Sequence, residues 1–336
     1  MDGLLLRSAE ELFSRHATPA AVRAIRAGGP PGVLWEELER AGFPDALVPE
    51  EAGGIGLGPA EALPVLMAAG RFAVPLPLGE TMLARAVIST GRAAAGERAP
   101  PGAILLGEPY ADGARVPSAV TAAWVLLQGE DGARLLPVEE AEEDEGAGSP
   151  LGRVLRWPGD AGRRLATPDP LPAGAWAETA AMAGAMERVL ESTVRHVGER
   201  RQFGRPVAAF QAVQQQVSVM TEDVFAARMA AQLASVPDGN GIAGLNPLRI
   251  AAAKLRVGEA AQRVSAIAHA LHGAMGITEE LDLHLLTERL RTGRMRFGGE
   301  AHWGAWLGRR FLAGNETETL AFVRAHLGPS APEATA

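Results

Sequence analysis

The chain has no cysteine, and that absence removes disulfide staples, thiolate nucleophiles and cysteine-held metal sites together. It fits a reducing compartment, and the cytoplasm is the expected location. Long apolar runs are missing too. No stretch approaches the ~20 apolar residues of a membrane span, and "MDGLLLRSAEELFSRH" carries acids early beside an apolar run too short for a signal peptide, so no membrane association is expected. There is no excess of positive charge: a formal −8 over 336 residues argues against nucleic acid, whose binding requires a basic stripe that displaces phosphate counterions. Arginine gathers only locally, between Arg195 and Arg205 and between Arg289 and Arg310. Histidines at ligand spacing are too few. His269 and His272 stand three apart with His284 further on, and no third and fourth ligand completes a set, so no metal is expected.

What remains is apolar and helical in texture. With 47% hydrophobic residues the chain can bury a large core, and its length fits two or three domains. Residues 1–95 read as short amphipathic helices, in "LLRSAEELF", "VLWEELERAGF" and "PAEALPVLMAAGRF". The glycine-rich "PEEAGGIGLGPAEA" between them follows no strand and lacks dinucleotide spacing. Residues 96–170 turn rich in Pro and Gly, with strand-length runs "GAILL", "AAWVLLQG" and "ARLLPV". The acidic run Glu139 to Gly146 reads as a solvated loop without a countercharge. Residues 171–327 return to helical period in segments of roughly 20 or more residues, as bundle helices require. Residues 328–336 read as a disordered tail. Met182, Met186, Met220 and Met229 read as core fillers. Trp303 and Trp306 suit a subunit interface or simple burial.

One corner is unusually specific. In "ERRQFGRPVAAFQ", Arg200 falls in the last turn of a helix beginning near Trp176, and a second helix starts near Val207 or Ala208. A guanidinium and the free amides of a helix N-terminus then converge on one point, a common way to hold a diphosphate. Phe203 and the amides of Gln202 and Gln211 flank it. An arginine that merely caps a helix beside a packed phenylalanine accounts for the same residues.

That stretch resembles the R-x-Q-F-G-x-P-[IV]-x-x-F-Q signature opening the C-terminal bundle of the acyl-CoA dehydrogenase family. "LVPEEAGGIGLG" is similar to its N-terminal P-E-x-x-G-G-x-G element, and "LHGAMGITEELDLHLLTERL" to its H-G-[GA]-x-G-[YF]-T-x-E segment. The resemblance covers most of residues 1–325. It implies a mainly α fold with an N-terminal helical domain, a middle β domain and a C-terminal four-helix bundle, assembled around FAD. It further implies that Arg200, Gln202, Phe203 and Gln211 contact a flavin held mainly by a neighbouring subunit, with Gly273 and Gly276 allowing close backbone approach.

The pattern then breaks. An acyl-CoA dehydrogenase needs a carboxylate to take the α-proton beside the flavin that accepts the hydride. Counting from Glu280, the commonest base position lands on Phe297, and the alternative, counted back from Arg200, lands on Gly174. Neither accepts a proton. Glu300 and Glu178 are the nearest substitutes, although Glu300 suits the first turn of a new helix and Glu178 the exposed face of its own. The T-E-x-x-x-G-S-D-like stretch that cradles the flavin ring has no counterpart in the shortened β segment, Ala270 replaces an expected Gln, and Ala274 an expected Gly.

Three readings follow. The leading one is a half-site or non-catalytic subunit that completes the FAD site of a longer paralogue in an α2β2 heterotetramer acting on a bulky acyl-CoA, as in steroid side-chain degradation. The second is a complete homomeric dehydrogenase using Glu300 or Glu178. The third is a non-redox binding or scaffold protein on the same fold.

Overall fold

The computed structural model describes residues 2–90, 98–117, 121–129, 132–149, 152–167, 169–314 and 318–328. Five helices come first: α1 (Asp2–His16), α2 (Pro19–Arg26), α3 (Gly32–Arg40), α4 (Pro59–Arg71) and α5 (Leu78–Thr90). Their starts follow local rules. Thr18 Oγ1 accepts from Ala21 N at 3.3 Å with Pro19 in the first turn of α2, and a capping Glu61 accepts from Gly58 N at 2.8 Å ahead of α4. Ala9 and Phe13, one turn apart on α1, are buried, and Phe13 meets Phe43 and Phe72 at ring separations of 6.4 and 6.0 Å.

A seven-stranded sheet follows: β1 (Ile104–Tyr110), β2 (Gly113–Val116), β3 (Trp124–Gly129), β4 (Gly132–Pro137), β5 (Glu142–Glu143), β6 (Arg153–Arg156) and β7 (Arg163–Leu165), in the order β5-β6-β2-β1-β3-β4-β7. Among the described residues only the β1–β3 pairing of this sheet is parallel. β1 changes neighbours along its length: residues 104–107 pair with β3, whereas 108–110 pair with β2. The open side of its first half is satisfied by α5. Thr81 Oγ1 accepts from Ile104 N at 3.0 Å, and Glu80 accepts from Leu106 N at 2.7 Å. Alternate residues divide between two faces, Ile104 and Leu106 joining the main helical core and Leu105, Val116 and Val125 a smaller one.

The C-terminal half is built on α6 (Leu171–Glu199), α7 (Gln211–Ala234), α8 (Pro247–His272) and α9 (Leu283–Met295), followed by α10 (Glu300–Ala313) and α11 (Thr319–His326). Asn246 Oδ1 accepts from Leu248 N and Arg249 N, starting α8 beside Pro247. α4 crosses α6 at backbone contact: a Cβ at Gly70 would lie 1.8 Å from Ala181 O, and one at Gly184 1.9 Å from Met67 O. This reciprocal glycine pair fixes how the N-terminal helices sit on the bundle.

Several expectations are corrected. The helix expected from near Trp176 starts at Leu171 instead. The fourth bundle helix is only 13 residues long and breaks at Arg296–Gly299 before α10. Met182, Met186 and Met220 are buried, but Met229 is 62% exposed because its face of α7 points outward. The acidic run has countercharges after all, Arg156 pairing Asp144 at 2.7 Å and Arg153 pairing Glu143 at 3.2 Å across β5 and β6. They lie some ten residues on in sequence and are brought opposite by the hairpin. The boundary expected between 95 and 96, and residues 329–336 of the expected tail, lie outside the described residues. Among the described residues no helix is long and apolar enough to cross a membrane, and no cluster of potential metal ligands forms.

Candidate functional site

The Arg200 corner is a β-hairpin. α6 ends at Glu199, Arg200 turns extended (φ −68°, ψ 127°), and β8 (Arg201–Gln202) pairs with β9 (Arg205–Pro206) across a two-residue loop. Both loop residues, Phe203 (φ 51°) and Gly204 (φ 79°), are left-handed, as a type I′ turn demands. Gly204 adopts this freely, but a phenylalanine there costs about 1–2 kcal/mol. Burial does not offset it, because Phe203 is 89% exposed. Val207 N donates to Arg200 O at 2.8 Å, and Arg205 stacks over the Phe210 ring at 4.1 Å. α7 begins at Gln211 rather than near Val207 or Ala208 as expected, because residues 207–209 form a single 3-10 turn first; no residue of α7 is buried before Met220, and its N-terminus has no side-chain cap.

Arg200, Gln202, Phe203 and Gln211 are all exposed at this corner. The Arg200 guanidinium has no carboxylate partner among the described residues; its Nη1 contacts Met275 Sδ at 3.5 Å, a weak acceptor. That contact brings the Gly273–Ile277 turn alongside. Gly273 ends α8 at φ 60° and ψ −142° and is exposed, whereas Gly276 is buried, and a Cβ there would lie 2.9 Å from His272 Cβ. The close approach that Gly276 permits is therefore to its own chain. Beneath the corner His196 and His272 stack at 4.3 Å, and His272 Nδ1 lies 2.7 Å from Ala268 O. Burial, with His272 and Arg200 nearby, holds His196 below its usual pKa, and burial does the same to His272.

The second region is a cavity of about 270 Å³ between the 74–80 segment, α4, α6 and α9. Both counted base positions line it, and they touch. A Cβ at Gly174 would lie 2.9 Å from the Phe297 ring, so Phe297 occupies the space a side chain at 174 would need. Phe297 is also left-handed (φ 55°) and only 5% exposed. Its neighbour Arg296 donates to Glu80 at 2.8 Å, Glu108 at 3.2 Å and Leu106 O at 3.1 Å, joining all three parts of the fold. Burial works against the Arg296 charge, but the attraction of Glu80 and Glu108 prevails and holds its pKa above the usual range.

The two substitute acids part company. Glu178 is 5% exposed and lines the cavity, contrary to the exposed face expected for it, because α9 packs over that face of α6. Its Oε2 accepts from Arg289 at 3.2 Å; Oε1 has no hydrogen bond and rests over Gly293. Glu300 opens α10 as expected and turns away from the cavity, accepting from Arg294 Nε at 2.7 Å and pressing on Gly258. Burial raises its pKa, yet Arg294 outweighs that and holds the carboxyl below its usual value. Asp282 precedes α9 without a side-chain cap and pairs with Arg23 at 2.6 Å, while His284 Nδ1 lies 3.0 Å from Leu281 O.

Sequence reasoning missed Glu80, Arg296 and Lys254. Lys254 is 1% exposed, and its Nζ donates to Gly293 O at 2.7 Å and Arg294 O at 3.0 Å, at the end of α9. Burial pulls its pKa down to about 8. A signal existed, since it is the one lysine among 32 basic residues.

The acyl-CoA dehydrogenase N-terminal domain model matches residues 3–103 and the C-terminal domain model residues 161–304. Acyl-CoA dehydrogenase IpdE2 of Mycobacterium tuberculosis is 30% identical over 311 residues, which span 85% of this chain and 89% of that one. The chain belongs to the acyl-CoA dehydrogenase family. Among solved structures of similar shape, the Tcur3481-Tcur3483 steroid ACAD G363A variant shares 25% identity at a TM-score of 0.77, covering 93% of this chain and 97% of that chain. The ChsE4-ChsE5 complex from Mycobacterium tuberculosis, at 20% identity and TM-score 0.73 over 94% and 98%, shares the fold. Within that family's fold this chain has an exposed corner at Arg200 and an aromatic ring, Phe297, at the position counted from Glu280 for a base.

Proposed function

We propose that this chain is the half-site subunit of a cytoplasmic FAD-dependent acyl-CoA dehydrogenase, completing the flavin site of a longer paralogue in a heterotetramer. The observation that carries the reading is the corner itself: a strained, 89% exposed Phe203 beside a guanidinium without an acidic partner among the described residues. Such strain persists where surrounding structure or a ligand uses it. FAD fits the corner chemically, because Arg200 and the uncapped amides of α7 offer positive charge to a diphosphate, and Phe203 with Gln202 and Gln211 offers a stacking and hydrogen-bonding edge to an adenosine. When bound, the flavin supplies the hydride acceptor. The ring of Phe297 against Gly174 supports the non-catalytic half of the reading, since neither position holds a proton acceptor. Similarity to a steroid acyl-CoA dehydrogenase supports a bulky, steroid-type acyl-CoA as the substrate of the assembly.

Co-expression with a longer paralogue yields a yellow heteromer, and Arg200→Ala lowers its flavin content at least tenfold after gel filtration while leaving the fold intact, as loss of a charge-assisted phosphate contact predicts. Undiminished flavin in that variant, or a colourless homotetramer indifferent to every paralogue, refutes the assignment. One observation favours a second reading, a complete homomeric dehydrogenase: Glu178 is a buried carboxylate in the cavity wall, with one oxygen free of hydrogen bonds. That reading requires the chain alone to reduce its flavin with an acyl-CoA and Glu178→Gln to abolish the reaction. A scaffold protein retains no flavin with any partner.

A further inference from the structure

Three of the 7 histidines gather where the ends of α6 and α8 meet. His196 lies in the last turn of α6, His272 is the last residue of α8, and their rings stack at 4.3 Å with 24° between the planes. His269, one turn back on α8, directs its Nε2 to Thr287 Oγ1 at 3.0 Å. The stack stands at the root of a hinge. Gly273 follows it at φ 60° and ψ −142°, with open space where a Cβ would point, and the Gly273–Ile277 turn then places Met275 Sδ 3.5 Å from the Arg200 guanidinium. Among the described residues, that sulfur contact and the ring stack are the side-chain hydrogen bond and ring contact that fasten this turn to the end of α6.

The stack accommodates neutral rings. His272 Nδ1 lies 2.7 Å from Ala268 O, and because a carbonyl only accepts, that nitrogen carries the hydrogen of the neutral ring. His196 Nε2 is buried without a hydrogen-bond partner among the described residues, and so is His269 Nδ1. A proton added at either finds no acceptor, and a buried N–H without one is costly. Charge nearby does not repair this. Arg200 on α6 and His269 on α8 oppose an imidazolium in the stack, whereas Glu199 on α6 favours one. The 207–209 and Gly273–Ile277 turns packed against it carry no charged residue, and Arg205 of β9 is taken up over the Phe210 ring. Burial, the largest cause, therefore prevails, and both rings stay below the usual imidazole pKa. Swung into water, the same rings would take protons at the ordinary value of roughly 6.5.

We infer that the His196–His272 stack is a proton-operated latch: it holds the Gly273–Ile277 turn against the end of α6 near neutral pH, and in mild acid it opens about Gly273 and withdraws Met275 from Arg200. The sign follows from linkage, since the open form binds more protons than the closed one below about pH 6.5, so falling pH draws the turn open. The device belongs to the folded chain by itself. It goes beyond the half-site reading, and its test needs neither flavin nor partner.

The test is amide hydrogen exchange of the full chain at pH 7.5 and pH 5.5, corrected for the intrinsic effect of pH on exchange. Protection of residues 269–278 falls at least about threefold in acid, while that of residues 182–186 in the buried middle of α6 is unchanged. His196→Phe keeps a ring to stack but takes no proton, so it leaves the turn protected at both pH values. His196→Ala removes the ring and leaves the turn open at both. Equal wild-type protection of 269–278 at the two pH values, the same acid loss in His196→Phe, or a matching loss at 182–186 overturns the inference.

Discussion

The chain contains two Phe-Gly pairs with nearly the same backbone and opposite surroundings. Phe203-Gly204 has φ of 51° and 79°, and Phe297-Gly298 has φ of 55° and 92°, yet the first ring is 89% exposed and the second 5%. At Phe297 the cost of a left-handed phenylalanine is offset by burial against Gly174 and by Arg296 stacked over its ring at 4.3 Å. At Phe203 the described residues offer only an edge contact to Phe210 at 6.1 Å. Identical local strain thus has an internal reason in one place and in the other none that the folded chain alone supplies. The cleft is stabilised by its own residues, and the corner is left exposed.

The sharpest way to break this contrast is to remove one arginine from each region. Arg296→Met strands Glu80 in a buried site and costs about 3–5 kcal/mol in urea unfolding, as breaking a buried pair does, whereas Arg200→Ala shifts the midpoint negligibly because its side chain is exposed. Equal effects would erase the distinction. Next come the two phenylalanines. Phe297→Ala costs about 3 kcal/mol through the void it leaves, and Phe203→Gly stabilises by about 1 kcal/mol through relief of left-handed strain.

Lys254, under the cleft, titrates in a window of its own. Its folded pKa of about 8 lies below the roughly 10.4 of an unfolded lysine, so the unfolded chain binds more protons between those values. Stability therefore rises with pH across that window, by up to about 3 kcal/mol, and below pH 8 the buried ammonium carries its full desolvation cost. The difference in urea midpoint between wild type and Lys254→Met drifts accordingly from pH 7.5 to 9.5; a constant difference means that the amine is not desolvated. The smallest effect belongs to the corner. His196 and His272 are held below the usual imidazole value, so they favour the folded state above about pH 6.5 and weaken it as pH falls toward 5. His196→Gln flattens that acid limb slightly in a thermal melt.

Much of the architecture was legible because its signals are local. Helical period marked the long helices, strand-length apolar runs marked β1, β3 and β4, and the Arg-x-Gln-Phe-Gly signature marked the corner. The hairpin was not expected there, although its signal, a glycine in a two-residue loop at Phe203-Gly204, is a short-range one. Glu178 was misjudged for a different reason. From α6 alone its face looks free, and only the arrival of α9, more than a hundred residues later, buries it and supplies Arg289. Glu80 and Arg296 lie 216 residues apart and carried no pattern that joined them.

The sequence alone determined that this is a mainly helical acyl-CoA dehydrogenase-type chain and that its two counted base positions hold Gly174 and Phe297. Periodicity, turn chemistry and motif spacing need only neighbouring residues. The tertiary structure decided that these two positions meet, that Phe297 fills the space Gly174 leaves, and that Glu178 and Arg289 face a cavity while Glu300 does not. Contacts of that kind depend on how close-packed helices distant in sequence come together, and one-dimensional patterning does not encode the crossing.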